Sequence, residues 1–295
     1  MSTTLTAART MDATARRDLR AARRRKLLNA VLIVVLIVLS LAWLVPLAAT
    51  VLTSLRRFDS VLISGMLSVE GGLTLDNFIT VWQNGIDKYI LNSFIITIPA
   101  LAAVLILATS AAFVLSRFEI PYARTIMLLM LAGNLLPQQV LLIPYNKMAE
   151  SLGIYDSYLA VILAHVGFQL GFFTFVLYNF IRQLPGELFE AAYLDGCGLP
   201  GMYRRILLPL LRPALAALGT LGFTWIFNDL LWALALIRSS GKFPVTAGLL
   251  QLQGQYVTDW TLLSAAALIA AVPTLFLFIL LQRQFVSGLT FGSVK

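Results

Sequence analysis

Apolar residues along this chain gather into long runs separated by short polar intervals, and run length is the first structural signal. The first run, "LLNAVLIVVLIVLSLAWLVPLAATVL", covers residues 27–52, and five more cover 90–115, 124–144, 158–181, 210–237 and 262–282. Each reaches the roughly 20 residues that a helix needs to cross a hydrocarbon core. The first exceeds the apolar stretch of a cleaved signal peptide, so it is expected to persist as an anchor. Within lipid the backbone must satisfy its own hydrogen bonds, which leaves helices or closed barrels, and no strand-like alternation marks a barrel. The pattern predicts an all-α integral membrane protein with six transmembrane helices.

The polar interval between the fourth and fifth runs, residues 182–209, carries helix signals of its own. In "LPGELFEAAYLDGCGLPGMYRRILLP", Pro185 and Gly186 precede Glu187 and Glu190, which fall in a first turn where the helix dipole favours carboxylates. Gly196 suits the left-handed position that ends a helix, and a second short helix is expected from Pro200 through Ile206. Neither helix is long enough to span or to be stable alone. Leu188, Ala191, Ala192 and Asp195 share one face, where small side chains admit close approach of another surface. The expectation is a rigid elbow, rooted in two spans and open for docking. Elsewhere "LTLDNFITVWQNG" is amphipathic, and residues 238–260, long for a simple connection, read as a packed cap, with a surface for an outside partner the equal alternative that the family resemblance given below implies.

Charge sets the orientation. Of the 295 residues 59% are apolar and 12% charged, about half the charge of an ordinary soluble domain. Eight Lys and Arg precede the first run, among them Arg16, Arg17, Arg20, Arg23, Arg24, Arg25 and Lys26. With that tail in the cytoplasm and six spans, both termini are cytoplasmic and sixteen of the 22 basic residues lie inside. Arg56, Arg57, Lys88, Lys147, Arg238 and Lys242 lie outside. An Arg-rich arm also suits nucleic acid or organelle import, but beside a span it is read as a topology determinant, with no nucleic-acid partner.

Chemistry is sparse. Cys197 is the only cysteine, so no internal disulfide forms, and no paired Cys/His pattern points to a metal. Gly241-Lys242 lacks both the first glycine and the hydroxyl residue of a phosphate loop. With no catalytic constellation, the chain is read as a transporting body rather than an enzyme, binding no cofactor, so any ATPase is a separate chain. Polar groups inside spans cost about 2.5–3.5 kcal/mol for a central Asp and default to functional candidates. Trp225, Asp229 and Trp232 fall at i, i+4 and i+7 on one face of the fifth run, with Asn228 beside them. Indole rings stack on sugar faces, and amides and carboxylates bond hydroxyls, so these four form a candidate substrate path. An interfacial tryptophan belt, or a buried polar contact between spans, is the structural alternative. His165 with Gln169, and Asn134 with Gln138, also share faces and are read as interspan hydrogen bonding, while Gly167 and Gly171 permit close helix packing.

Glu190-Ala191-Ala192, three residues, Gly196, nine residues, Ile206, one residue, Leu208-Pro209 matches the pattern EAA-x3-G-x9-I-x-L-P at every fixed position. By it the chain resembles the integral membrane subunits of binding-protein-dependent ABC importers. The stretch closing with Ser116-Arg117-Phe118 resembles that family's second span, and "WIFNDLLWALALI" and the closing "QRQFVSGLTFGSVK" resemble its sugar-transporting, maltose-permease-type branch, with Asn228-Asp229 in place of the more usual Asn-Glu. The likeness covers residues 75–295 and leaves out the basic tail.

The resemblance implies a type I ABC importer permease fold whose elbow is a cytoplasmic coupling helix. It implies a second homologous permease, two cytoplasmic ABC ATPase subunits that bind ATP and Mg, an extracytoplasmic solute-binding protein and a sugar substrate, in a bacterial or archaeal cell membrane. Glu190, Ala191, Ala192 and Gly196 would form the docking core, with Ile206, Leu208 and Pro209 completing the motif. A bulky residue at Ala192 would then uncouple ATP hydrolysis from transport in a folded bundle. Gly288, Leu289, Thr290 and Gly292 would be secondary ATPase contacts. The chain divides into a basic tail 1–26, a first helix with outer segment 27–89, a five-helix core 90–284 with coupling loop 182–209, and a C-terminal tail 285–295. Two alternatives stay open: a non-sugar solute, and an ion-coupled secondary transporter with Asp229 or His165 as proton site.

Overall fold

A computed structural model describes the backbone of residues 2–68, 70–252 and 258–290, and side chains over 25–68, 70–252 and 258–282. Four of the six apolar runs become single helices that extend beyond them. These are α1 (Ser2–Ser54), α4 (Ile86–Arg117), α7 (Tyr158–Arg182) and α13 (Trp260–Thr290). On the side opposite the elbow, α2 (Phe58–Ser64) and the amphipathic α3 (Asp76–Gln83) lie between α1 and α4. In α3, Asn77 and Val81 are buried while Ile79 and Trp82 are exposed.

Two runs are not the single straight helices expected. Residues 124–144 form α5 (Ala123–Gly133) and α6 (Gln138–Ser151), whose axes differ by 93°. The break runs through Asn134 to Pro137, where proline disfavours helical geometry in the residue before it. Among the described residues, five helices are therefore long and apolar enough to cross a membrane, or six if this bent pair counts as one span. The run 210–237 also divides. Its helix α10 (Leu208–Phe227) stops, and a short α11 (Leu231–Leu236) starts after the non-helical residues 228–230. The expected separate second helix of the elbow is likewise absent: α9 (Leu199–Gly201) passes through a π-helical stretch, Met202–Leu207, straight into α10. Together they make one 29-residue rod. The wide π turns sit just before Pro209, whose missing N–H cannot serve the regular α-helical ladder.

The bundle is built on α4, which lies along α7 and also meets α10; α10 packs on α13, α1 on α13, and α5 on α7. Lipid tails are as apolar as these helix faces, so close packing rather than escape from water holds them together. Small residues supply it. Ala100, Ala108 and Ala112 of α4 and Ala160 of α7 are fully enclosed. A Cβ on Gly171 would lie 2.1 Å from the Met130 carbonyl oxygen, so α5 can approach α7 only at a glycine; one on Gly167 would meet open space. Of the two glycines predicted to admit close packing, Gly171 alone does so.

Beyond α11 the chain folds back as a packed cap. Asn92 Nδ2 donates to the carbonyls of Gly241 (2.9 Å) and Phe243 (3.0 Å), and the Val245 N–H donates to Ser93 Oγ at 2.8 Å. The last of these opens α12 (Val245–Gln251). Asp156, at φ +54, accepts from the N–H groups of Arg238 and Ser239, both at 2.9 Å, from Ser239 Oγ at 2.6 Å and from Lys242 Nζ at 3.0 Å. The Ser239 hydroxyl first, then these backbone donors and the ammonium, hold its carboxyl well below the usual carboxylate range. Arg56, counted above as an ordinary loop charge, is fully buried. Its guanidinium donates to the carbonyls of Ser60, Gly65 and Glu70 and to Ser64 Oγ, pinning the loop after α1.

Candidate functional site

Two places gather unusual chemistry, one at each end of α7. At its C-terminal end the elbow helix α8 (Glu187–Leu194) carries Glu187 and Glu190 in its first turn. It stops as the sequence predicts. Gly196 is left-handed (φ +73), its N–H donates to the Tyr193 carbonyl at 3.0 Å, and the Cys197 N–H reaches back to the Ala192 carbonyl at 2.9 Å. That pair of bonds is the Schellman stop, which satisfies two orphan carbonyls and turns the chain sharply.

Of the expected docking face, Leu188, Ala191 and Asp195 are exposed, while Ala192 is not. Phe189 and Ala192 point inward and are buried with Phe113, Met202 and Leu211, because the large aromatic ring claims the core side of this short helix. Ala192 therefore belongs to the chain's own packing, and a bulky residue there strikes the bundle instead of leaving it folded. The open surface holds Glu187, Leu188, Glu190, Ala191, Tyr193 and Leu194, with Leu194 84% exposed. Ile206 is half-buried against the same core, Leu208 is half-buried, and Pro209 is exposed at the start of α10. Gly288, Leu289 and Thr290 lie on the backbone of α13 with side chains outside the description; Gly292 lies outside the described residues altogether.

Toward the other end of α7 is a polar cavity of about 330 Å³, lined by Asn134, Gln138, His165, Phe168, Gln169, Trp225 and Asp229. Its position follows from the two helix breaks. The α5–α6 bend carries Asn134 and Gln138 to its wall, and the end of α10 leaves Asp229 in a non-helical corner. There Asp229 Oδ2 accepts from the N–H groups of Trp232 (3.1 Å) and Ala233 (3.2 Å), capping α11. The same oxygen lies 3.6 Å from His165 Nε2, beyond hydrogen-bond range. His165 Nε2 and Gln169 Oε1 are buried without a hydrogen-bond partner. Buried polar atoms are nearly always satisfied, so two orphans on one cavity wall mark a place suited to a polar ligand.

The four expected path residues are thus separated. Trp225 and Asp229 line the cavity. Asn228 is exposed on another side, donating to the Thr224 carbonyl and, at 3.5 Å, to Thr274 Oγ1. Trp232 is 2% exposed, stacks edge-on to Tyr145 at 5.3 Å, and lines a neighbouring apolar cavity of about 410 Å³. The shared face of Trp225, Asp229 and Trp232 required an unbroken helix, which the Asp229 cap prevents. His165 and Gln169 share a face of α7 as expected, whereas Asn134 and Gln138 fall on either side of the α5–α6 break and share no helical face; all four, read from the sequence as interspan bonding, line one cavity. Among the described residues no group of three or more His, Cys, Asp or Glu is placed to hold a metal.

A bundle with an elbow helix at one end and a polar cavity inside has the architecture of a type I importer permease, as two comparisons bear out. A solved bacterial ABC transporter chain that imports the acidic polysaccharide alginate superposes with a TM-score of 0.76, covering 90% of this chain and 98% of that one at 19% identity. Residues 89–290 match the family described as binding-protein-dependent transport system inner membrane component, and the chain belongs to that family. The diacetylchitobiose uptake system permease protein NgcG of Streptomyces coelicolor is 31% identical over 263 residues, covering 88% of this chain and 87% of its own. The arabinooligosaccharides transport system permease protein AraQ of Halalkalibacterium halodurans is 32% identical over 254 residues, covering 85% and 90%. The chain is a multi-pass inner-membrane transport permease of the carbohydrate type.

Proposed function

We propose that this chain forms half of the translocation path of an ATP-driven oligosaccharide importer. A second homologous permease supplies the other half, two cytoplasmic ABC ATPase subunits bind ATP and Mg, and an extracytoplasmic binding protein delivers the solute. Both termini and the elbow face the cytoplasm, in line with the distribution of Lys and Arg. The observation that carries the reading is the elbow: a short helix ended at Gly196, facing outward through Leu188, Glu190, Ala191 and Leu194. It is covalently continuous with α7 and with the rod that includes α10. In this reading Glu190 and Ala191 touch the ATPase, Ala192 and Gly196 set the helix position and turn, and Ile206, Leu208 and Pro209 transmit movement into α10. Gly288, Leu289, Thr290 and Gly292 form a secondary contact with the ATPases. Movement of the ATPases is converted to alternating access by rigid-body displacement of helices, without chemistry in the permease.

A sugar cargo is supported by the relatives named for diacetylchitobiose and arabinooligosaccharides, and by the cavity. Its Trp225 ring and the amide, imidazole and carboxylate groups around it suit a neutral polyhydroxyl ligand. Reconstitution in vesicles with the permease, ATPase and binding protein of the same genome tests the reading. Uptake is expected to require ATP on the elbow side and binding protein on the other. Uptake that follows a proton gradient and ignores ATP sinks it.

A further inference from the structure

The elbow helix is joined by backbone to α7 and to the α9–α10 rod, but α4 has no chain connection to it. Side chains at the end of α4 bridge that gap, and one of them is a cation. Arg117, the last residue of α4, donates from Nη2 to the carbonyl oxygens of Ile181 (2.6 Å) and Leu184 (2.9 Å) at the end of α7. Its guanidinium carbon also lies 4.3 Å from the centroid of the Phe189 ring on α8. Phe113, one turn back on α4, meets Phe189 at 6.2 Å and Tyr203 of the π stretch at 5.9 Å.

Geometry makes this more than a surface contact. The two carbonyls belong to the last turn of α7 and the link beyond it, where the helix dipole favours a cation; Ile181 O also accepts the Leu184 N–H at 3.1 Å, so the guanidinium reinforces the turn that ends α7. A planar guanidinium bonds carbonyls in its plane while presenting its face to an aromatic ring, a combination that lysine cannot reproduce. The same cation therefore holds the end of one span, the end of a second and the buried ring of the elbow.

We propose that Arg117 is a positioning residue for energy coupling, delivering displacement of α8 to α4 as well as to α7. This rests on the importer reading. The test uses the reconstituted complex with its ATPases, second permease and binding protein, comparing wild type with R117A, R117K and F189L. Complex assembly, ATP hydrolysis stimulated by loaded binding protein, and solute moved per ATP are measured separately. R117A is expected to assemble and hydrolyse ATP but to move several-fold less solute per ATP, with R117K restoring part of the ratio. F189L is expected to lower the ratio too, and to add little in the R117A background, because both act through one contact. An assembled R117A complex with the wild-type ratio overturns the proposal. Should R117A fail to assemble, F189L decides, and an unchanged ratio there overturns it equally. Failure of the wild-type chain to bind any ATPase would instead sink the importer reading and is seen before any variant is made.

Discussion

Asp229 can be asked whether it serves as a helix cap, as a charge, or as both, because asparagine separates the two. Its carboxylate receives the N–H groups of Trp232 and Ala233, and Trp232 is almost wholly buried. D229A leaves both donors without that acceptor. Losing a cap costs about 1 kcal/mol and up to ~2, and a buried orphan donor costs ~1–3, so a local loss of roughly 1–3 kcal/mol is expected. D229N keeps a side-chain oxygen for the same N–H groups, and since Asn and Asp cap about equally the loss should stay within a few tenths of a kcal/mol. A loss of that size corresponds to a roughly 5- to 150-fold change in how often α11 opens. Hydrogen exchange at the amides of residues 231–237, with the protein in lipid nanodiscs, reads this directly. D229A should speed exchange by about that factor and D229N should not. In vesicles D229N should retain most ATP-dependent uptake, because an amide still bonds hydroxyls, while D229A should lose it along with the cavity's shape. If D229N loosens α11 as much as D229A, the capping argument is wrong. If D229N leaves exchange unchanged yet abolishes uptake, the negative charge beside His165 is what matters, and the ion-coupled alternative gains.

Three further outcomes follow from single contacts. G171A should weaken the α5–α7 contact by roughly 1–3 kcal/mol, because the added methyl meets a backbone carbonyl that cannot swing away, whereas G167A should fall within about 0.5 kcal/mol of wild type; thermal unfolding in detergent separates the two. D156N retains a residue that tolerates positive φ but loses the charge that binds Lys242. Since the folded carboxyl titrates below its unfolded value of ~3.9, its stabilisation is complete above about pH 4 and is lost as pH falls through the lower folded value. The wild type should thus exceed D156N by a constant margin from pH 5 to 8, narrowing only in stronger acid; a margin that changes across that neutral range contradicts this. L194E should leave helix content and insertion unchanged, as Leu194 is 84% exposed, while weakening ATPase capture at least about tenfold in a pull-down.

The parts legible in the sequence were those set by local chemistry. The left-handed stop at Gly196 and the acidic first turn of α8 need only neighbouring residues, and α4, α7 and α13 followed from long apolar runs, which stay helical even through Pro99 of α4 and Pro273 of α13. Hydropathy was silent where a helix breaks within lipid, because both limbs of a break are equally apolar. The α5–α6 break and the end of α10 are therefore hidden inside apolar runs, although Pro137 and Asp229 are the residues that cause them. Periodicity gave α8 two sides but could not choose between Ala192 outward and Ala192 inward; burial of Phe189 chooses. The cavity fails to appear for a related reason. His165 and Gln169 form one stripe on α7, and Asn134 and Gln138 flank a bend, but their meeting depends on how closely α5 crosses α7. That distance is set by a bare glycine against a carbonyl at Gly171 and Met130, two positions with no polar atom in their side chains. An interior site in a membrane bundle can thus be specified by residues that never touch its ligand, which is why G171A is expected to disturb uptake as well as stability.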